Sequence, residues 1–313
     1  MAGRLYWFSF LAGLLFLSQV DGMELKTTVP DRLKQPAARS GTVALRSYSC
    51  YSYTDLTDQG VDIQSRFEQA GYILERNRAP IIKKCNVYLP FGYDKNKRYP
   101  VIYVLHGLTG NEFSWLGGGE FNPVMMLDHL IASGKIQPCI VVFPNGNSSS
   151  AFSDNRFENQ AGYYFFADEL LNDLIPFIES EYSVRTDRDS RAICGFSMGG
   201  MQTINIGLCR CLQAFSRFGA IASAPTTYNS DRIADLLERE NKAGSLPIHV
   251  FYNIYGSSDR IAGWSHQAAL AGLRERSHSF NRKNLIEQVI PGGHDYSFAL
   301  IGLYNFLLLC DFK

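Results

Sequence analysis

The sequence shows no excess of charge of either sign, since Lys plus Arg and Asp plus Glu number 30 each. Nothing in it suggests a polyanionic partner, and nucleic-acid binding has no electrostatic footprint. It also lacks internal repeats and low-complexity tracts. No cysteine or histidine grouping has zinc spacing, so neither a structural metal nor another cofactor is expected. Beyond the first 22 residues no apolar run approaches the ~20 residues that span a bilayer. With 46% hydrophobic and 19% charged residues, the chain reads as globular and able to bury a substantial core.

An apolar run from Leu5 to Leu17 follows a single Arg and precedes small and polar residues. It reads as a secretory signal peptide over residues 1–22, because the run is too short for a membrane anchor. Secretion is therefore expected, with no stable membrane association after cleavage. Residues 23–45 are polar, carry two prolines and show no sustained period, which suggests a flexible linker or N-terminal arm. Residues 46–313 read as one catalytic domain. All seven cysteines lie after the leader, where an oxidising compartment permits disulfides. The odd count leaves at least one unpaired. Cys194, on an apolar strand, is expected to stay a free thiol, and Cys50 and Cys85 are candidates for a bridge from the arm to an early strand.

From residue 71 onward, short β-rich runs alternate with helical patterns, the signature of a mostly parallel sheet covered by helices on both faces. Strands are predicted at 71–74, 84–89, 101–105, 139–143, 191–195, 218–222, 249–255 and 285–290. Helices are predicted at 123–133, 164–181, 199–212, 231–240, 265–276 and 297–310. Pro176 should kink the second helix or mark its last turns.

The strongest chemical signal is Gly195-Phe196-Ser197-Met198-Gly199-Gly200, between the strand-like Arg191–Cys194 and a helical pattern. A G-x-S-x-G at a strand-to-helix turn lifts a serine above the sheet, and the glycines remove the Cβ atoms that would clash there. This is an α/β-hydrolase elbow, and Ser197 is the candidate nucleophile. Its base should follow in the chain order nucleophile, acid, base. Of six histidines, His294 in Pro291-Gly292-Gly293-His294-Asp295 lies just past the last strand and before the C-terminal helix, where that fold delivers its base. Asp259 closes the preceding strand in Tyr255-Gly256-Ser257-Ser258-Asp259 and is the favoured acid, with Asp295 the alternative. Asp259 could instead serve as a helix N-cap. The strand end Tyr103–Gly110 turns at Gly107, which makes Leu108 N–H and Met198 N–H the candidate oxyanion donors, with His106 bracing the loop.

These segments resemble the esterase D/feruloyl esterase family, above all feruloyl esterase modules attached to xylanases. The resemblance is carried by Val87-Tyr88-Leu89-Pro90 with Gly92-Tyr93, HGLTGNEFSW, LGGGEF, LIASGKIQPCIVVFPN, DLIPFIESEYSV, RAICGFSMGG and GGHDYSFALIGLYNFL, in consistent order from about residue 84 to the C-terminus. It implies that Ser197, Asp259 and His294 match the family triad, and that Leu108 and Met198 match its oxyanion donors. It also implies action on feruloylated or acetylated plant polysaccharide or oligosaccharide. The loop 145–162 and the segment 226–244 depart from those modules and leave the substrate open. With 21 Phe, 17 Tyr and 3 Trp an aromatic acyl pocket is feasible, and Trp264, with Trp115 behind it, is the candidate to line it. The alternatives are an acetyl xylan esterase, an S-formylglutathione-type thioesterase, a mycolyl-type acyltransferase and a non-catalytic carbohydrate-binding protein on the same scaffold.

Overall fold

A computed structural model describes residues 19–20, 23–55, 74–117, 122–154, 157–241 and 244–312. Eight strands form its central sheet: β1 (Thr42–Asp55), β2 (Leu74–Leu89), β3 (Val101–Leu105), β4 (Ile140–Pro144), β5 (Arg191–Phe196), β6 (Arg217–Ile221), β7 (Val250–Gly256) and β8 (Leu285–Ile290). Their spatial order is β8-β7-β6-β5-β3-β4-β2-β1. Both pairings of β2, with β1 and with β4, are antiparallel; all pairings among the last six strands are parallel. This is the expected α/β-hydrolase architecture.

Alternation explains why those strands are apolar throughout. On β3, Val101, Tyr103 and Leu105 enter one core, while Ile102 and Val104 enter the other. On β4, Ile140 and Val142 separate from Val141 and Phe143 in the same way. Two covered faces turn the usual in-out alternation into continuous hydrophobic runs. The first face carries the segment ending in α2 (Ile175–Glu181), α4 (Ser230–Glu240) and α5 (Gly263–Leu270); the second carries α1 (Pro123–Ala132) and α6 (Tyr296–Leu309). Between them α3 (Met198–Gln202) opens directly from β5 and runs on as a wider turn over Thr203–Leu208. Among the described residues no helix is long and apolar enough to cross a membrane.

The sequence reading misjudged several local features. Residues 23–45 are no loose linker: Leu25, Val29 and Leu33 are buried in the second core. Lys26 is clamped there as well, its N–H donating to Asn305 Oδ1 (2.9 Å) and its carbonyl accepting from Asn305 Nδ2 (2.8 Å). The arm then becomes β1 at Thr42, a 14-residue edge strand that its Ser-rich sequence concealed. The strand predicted at 71–74 and the leader at 1–22 lie almost wholly outside the described residues. Pro176 does mark the last turns of the predicted helix, as the second residue of α2, and the preceding Leu170–Leu174 turn is π-helical. That widening accommodates a ring with no N–H to give. The helix predicted at 265–276 breaks at Gly272, whose φ of 64° lies in the left-handed region.

The proposed Cys50–Cys85 bridge is absent, and the register gives the reason. Cys50 sits opposite Ile81, whereas Cys85 sits opposite Arg46, four residues further along β2. At about 3.3 Å per residue that offset is roughly 13 Å, beyond the ~7 Å between Cα atoms that a disulfide tolerates. All seven cysteines are free and buried, Cys194 among them. Burial pushes the thiols of Cys85, Cys139 and Cys211 up to about 12 and the other four higher still. The expected outcome is that the native protein does not react with a disulfide thiol reagent, whereas denaturation releases all seven thiols without prior reduction. A native thiol titre of one or more, or a denatured titre below seven, would contradict this arrangement.

Candidate active site

Ser197 occupies the turn between β5 and α3 with φ 55° and ψ −112°, a conformation that L-residues adopt only under constraint. The constraint is a set of backbone bonds. Ser197 N–H donates to Ile221 O (2.9 Å), and Ser197 O accepts from Ala224 N–H (2.9 Å) and Met201 N–H (3.0 Å). The flanking glycines are needed for steric reasons. A Cβ on Gly195 would lie 2.3 Å from Gly199 O, and one on Gly199 would lie 2.5 Å from Leu105 O.

The last two strands deliver the partners. His294 Nε2 lies 2.8 Å from Ser197 Oγ, and His294 Nδ1 lies 2.8 Å from Asp259 Oδ2. The imidazole also leans on Phe196, with ring centroids 4.8 Å apart. Asp259 is not the helix N-cap also weighed for it, since α5 is preceded by Ala262 with no side-chain cap, but it ties down the turn before that helix. Its Oδ1 accepts from Ile261 N–H and Ala262 N–H, each at 2.9 Å, while Oδ2 holds the histidine. Two backbone donors fix the carboxylate plane before the imidazole arrives. Asp295 is the N-cap of α6, its Oδ1 accepting from Phe298 N–H at 2.9 Å. Such an arrangement can move the Ser197 proton to Nε2 while Nδ1–H stays on the carboxylate.

The loop after β3 lies against the nucleophile. A Cβ on Gly107 would stand 3.5 Å from Ser197 Cβ. Met198 is the first residue of α3, so its N–H has no acceptor within the helix. Leu108 packs beside Met198 in a small cluster with Tyr53, Tyr163, Tyr164, Phe165 and Met201. Trp115 belongs to the frame and not to a pocket: it is buried, its Nε1 donates to Leu105 O (3.0 Å), and it meets Tyr296 edge-on. Tyr296 OH in turn accepts from Gly107 N–H (3.3 Å). Trp264 lies on the surface of α5 with 56% of its area exposed. His266, on the same helix, is fully buried beside Tyr255. Among the described residues no group of His, Cys, Asp and Glu side chains is arranged to hold a metal ion. A cavity of about 550 Å³ opens where β7 and β8 begin, at the other end of the sheet, and none of the residues above lines it.

Comparison with known proteins gives the family and the fold. Residues 82–299 match the Esterase family model, described as "Putative esterase". The chain belongs to that family. Its fold is that of feruloyl esterase modules. The feruloyl esterase module from Clostridium thermocellum, a mutant complexed with sinapinate, superposes with TM-score 0.71 at 22% identity, over 93% of this chain and 95% of that one. A ferulic acid esterase from Anaeromyces mucronatus in complex with ferulic acid gives 0.68 at 24%, over 91% and 97%. In sequence, the chain is 38% identical over 161 residues to an endo-1,4-beta-xylanase/feruloyl esterase of Xylanibacter ruminicola, covering 49% of this chain and 21% of that protein. It is 28% identical over 294 residues to endo-1,4-beta-xylanase Y of Acetivibrio thermocellus, covering 88% and 26%. The esterase thus spans about a quarter of the length of these curated relatives.

Two residues essential to the frame escaped the sequence reading. Lys83 and Glu169 form a fully buried ion pair at 2.7 Å. Lys83 Nζ also donates to the carbonyls of Asn145 (2.9 Å) and Asn147 (2.8 Å), and Glu169 accepts from Tyr48 OH and Ser148 Oγ. The loop after β4 hangs on that pair. No local motif announces it, because the partners are 86 residues apart.

In this esterase Asp259→Asn is expected to lower turnover by about 10⁴-fold, by analogy with loss of the orienting carboxylate in other triads. Asp295→Asn should change turnover less than about tenfold, since asparagine caps a helix nearly as well. Steady-state kinetics on p-nitrophenyl acetate decide; the reverse ranking would reassign the acid. Acid stability follows from two buried rings. Burial lowers His106 to about 4 and His266 to about 3. The unfolded chain protonates both near 6.5 while the folded chain keeps them neutral. Their contribution is therefore complete above pH 6.5 and drains away as pH falls toward 4 and then 3. Urea titrations between pH 7 and 4 should show this slope, and His266→Phe should flatten it. An unchanged slope in that variant would count against the assignment.

Proposed function

We propose that this chain is a secreted feruloyl esterase that releases hydroxycinnamates from arabinoxylan through an acyl-Ser197 intermediate. The observation that carries the proposal is the continuous hydrogen-bonded line from Ser197 Oγ through His294 to Asp259, set against an aromatic wall. Ser197 Oγ attacks the ester carbonyl carbon as its proton passes to His294 Nε2. The oxyanion rests on the N–H groups of Leu108 and Met198, each worth about 100- to 1,000-fold in turnover. Collapse expels the sugar hydroxyl, which takes the proton back from His294 and leaves Ser197 acylated. Water then repeats the cycle and frees the acid. The catalytic unit extends from β1 to the C-terminal helix, and the apolar run Leu5–Leu17 supports export.

The aromatic wall favours a hydroxycinnamoyl group over a small acyl group. Leu108 and Met198, beside the nucleophile, pack with Tyr53, Tyr163, Tyr164 and Phe165. Those aromatic side chains are buried, and Leu108 is the part-exposed residue above them; a ferulate ring laid on it would remove roughly 100 Å² more apolar area from water than a methyl does, about 2.5 kcal/mol before binding costs. Trp264 and the neighbouring Ile261 are both about half exposed beside the acid loop, and in this reading they meet the sugar and not the acyl ring. A second reading, an acetyl esterase, is favoured by one relative: an acetyl esterase of Caldicellulosiruptor saccharolyticus, 28% identical over 107 residues.

The expected result is a kcat/KM for methyl ferulate at least about tenfold above that for an acetylated xylo-oligosaccharide, with Ser197→Ala folded and inactive. Efficient acetate release with negligible ferulate release would transfer the assignment to the acetyl esterase reading. N-terminal sequencing of protein recovered from the culture medium tests export, the expected start lying at or near residue 23.

A further inference from the structure

Among the buried polar groups outside the triad, His106 has the most directed contacts. It is buried at the end of β3, and both ring nitrogens are engaged. Gly146 N–H donates to Nε2 at 3.2 Å, which leaves the ring proton on Nδ1. Nδ1 lies 2.7 Å from the carbonyl oxygen of Gly107. That oxygen also accepts from Gly110 N–H at 3.1 Å. Two donors thus grip one end of a single peptide unit. Its other end is the N–H of Leu108.

The peptide is trans, as are all those described. In a trans unit the C=O and N–H vectors point in opposite directions. Holding the Gly107 oxygen toward His106 therefore turns the Leu108 N–H away from His106. Gly107 itself stands against Ser197, so the freed donor lies beside the nucleophile. The grip on the ring is itself fixed. Gly146 is held through its carbonyl by Gln202 Nε2 (2.8 Å), and it lies between the two carbonyls bound by buried Lys83. A side chain on Gly146 would collide with Gln202 Oε1 at 2.7 Å, so glycine keeps the loop in reach of the ring.

We propose that His106 is a positioning residue, which aims the Leu108 N–H at the developing oxyanion by holding the opposite end of the same peptide. The proposal rests on Ser197 being the nucleophile. It assigns His106 no proton transfer and no contact with substrate. Its effect belongs to the transition state, when charge gathers on the oxygen, so turnover should suffer and ground-state binding should not.

The test uses three substitutions in the full chain with p-nitrophenyl acetate. His106→Ala and His106→Gln lack a donor at the Nδ1 position and are expected to lower kcat by about 30- to 100-fold with KM within about threefold of wild type. His106→Asn places its amide nitrogen near the former Nδ1 and should recover kcat to within about fivefold of wild type. Folded Ala and Gln variants that keep kcat within about twofold would overturn the proposal, as would an Asn variant no better than Ala. Complete phosphonate labelling of Ser197 in wild type separates the two readings: an active, labelled wild type with an indifferent His106→Ala removes only the role of His106, whereas an unlabelled and inactive wild type removes the nucleophile and this role with it. Should the variants fail to fold, nitrogen NMR of the intact wild-type protein reads the ring directly. A neutral His106 carrying its proton on Nδ1 at pH 7 supports the proposal, and a proton on Nε2 overturns it.

Discussion

The site depends on one strained residue. Ser197 holds a positive φ that costs roughly 1–3 kcal/mol in a non-glycine residue. The strain persists because the surrounding structure leaves no alternative. β6 ends at Ile221, whose carbonyl takes the Ser197 N–H, and the turn beyond it returns the Ala224 N–H to Ser197 O. A second strained residue, Ala222 with φ 45°, lies in that returning turn, and its own N–H is held by Ile254 O on β7. Relaxing the elbow would therefore unpair three adjacent strand ends. Each buried backbone group so orphaned costs about 1–3 kcal/mol, which exceeds what relaxation would recover.

Around this elbow the loops are held by buried polar groups, not by apolar packing alone. The loop after β3 is tied to Trp115 and Tyr296 on one side and to His106 on the other. The loop after β4 hangs from Lys83 and Glu169. A buried ion pair is weak evidence for stability, since its desolvation opposes its attraction. Its value here is directional. A lysine ammonium with three donors can bind two loop carbonyls and a carboxylate at once, which fixes a loop in a way that an apolar residue cannot.

How much of this was legible in the sequence depends on the distance over which each feature is determined. The elbow is local: the glycines around Ser197 and the strand before it give both the turn and its function. His294 and Asp259 were found by the order in which the fold delivers loops, and the last six strands by their apolar runs. The edge strand β1 was missed because only alternate positions near its end, such as Tyr48 and Cys50, are buried, and its serines imitate a loop. The arm was misread because Leu25, Val29 and Leu33 are isolated apolar residues whose partners lie on α1 and α6. The Cys50–Cys85 pairing failed on register, which no composition reveals. Lys83 and Glu169 were invisible for the same reason: each looks like an ordinary surface charge until a fold brings them together.

The base owes its placement to the most apolar helix among the described residues. α6 is buried on nearly every side, from Phe298 and Leu300 to Phe306 and Leu309. A helix so enclosed cannot shift along its axis without unpacking the second core. Asp295 starts it by capping Phe298, and His294 is the residue immediately before that cap. The imidazole thus hangs one residue outside a fixed point, close enough to inherit its rigidity and free enough to face Ser197. The acid follows the same logic from the neighbouring strand, since Asp259 ties down its own turn with one oxygen and offers the other. In both cases the residue that does chemistry sits beside or within a turn whose backbone N–H groups are taken up by an aspartate: Asp295 capping α6 beside His294, and Asp259 holding its own turn. This is why a loop can hold a catalytic atom to the tolerance that a 2.8 Å hydrogen bond requires.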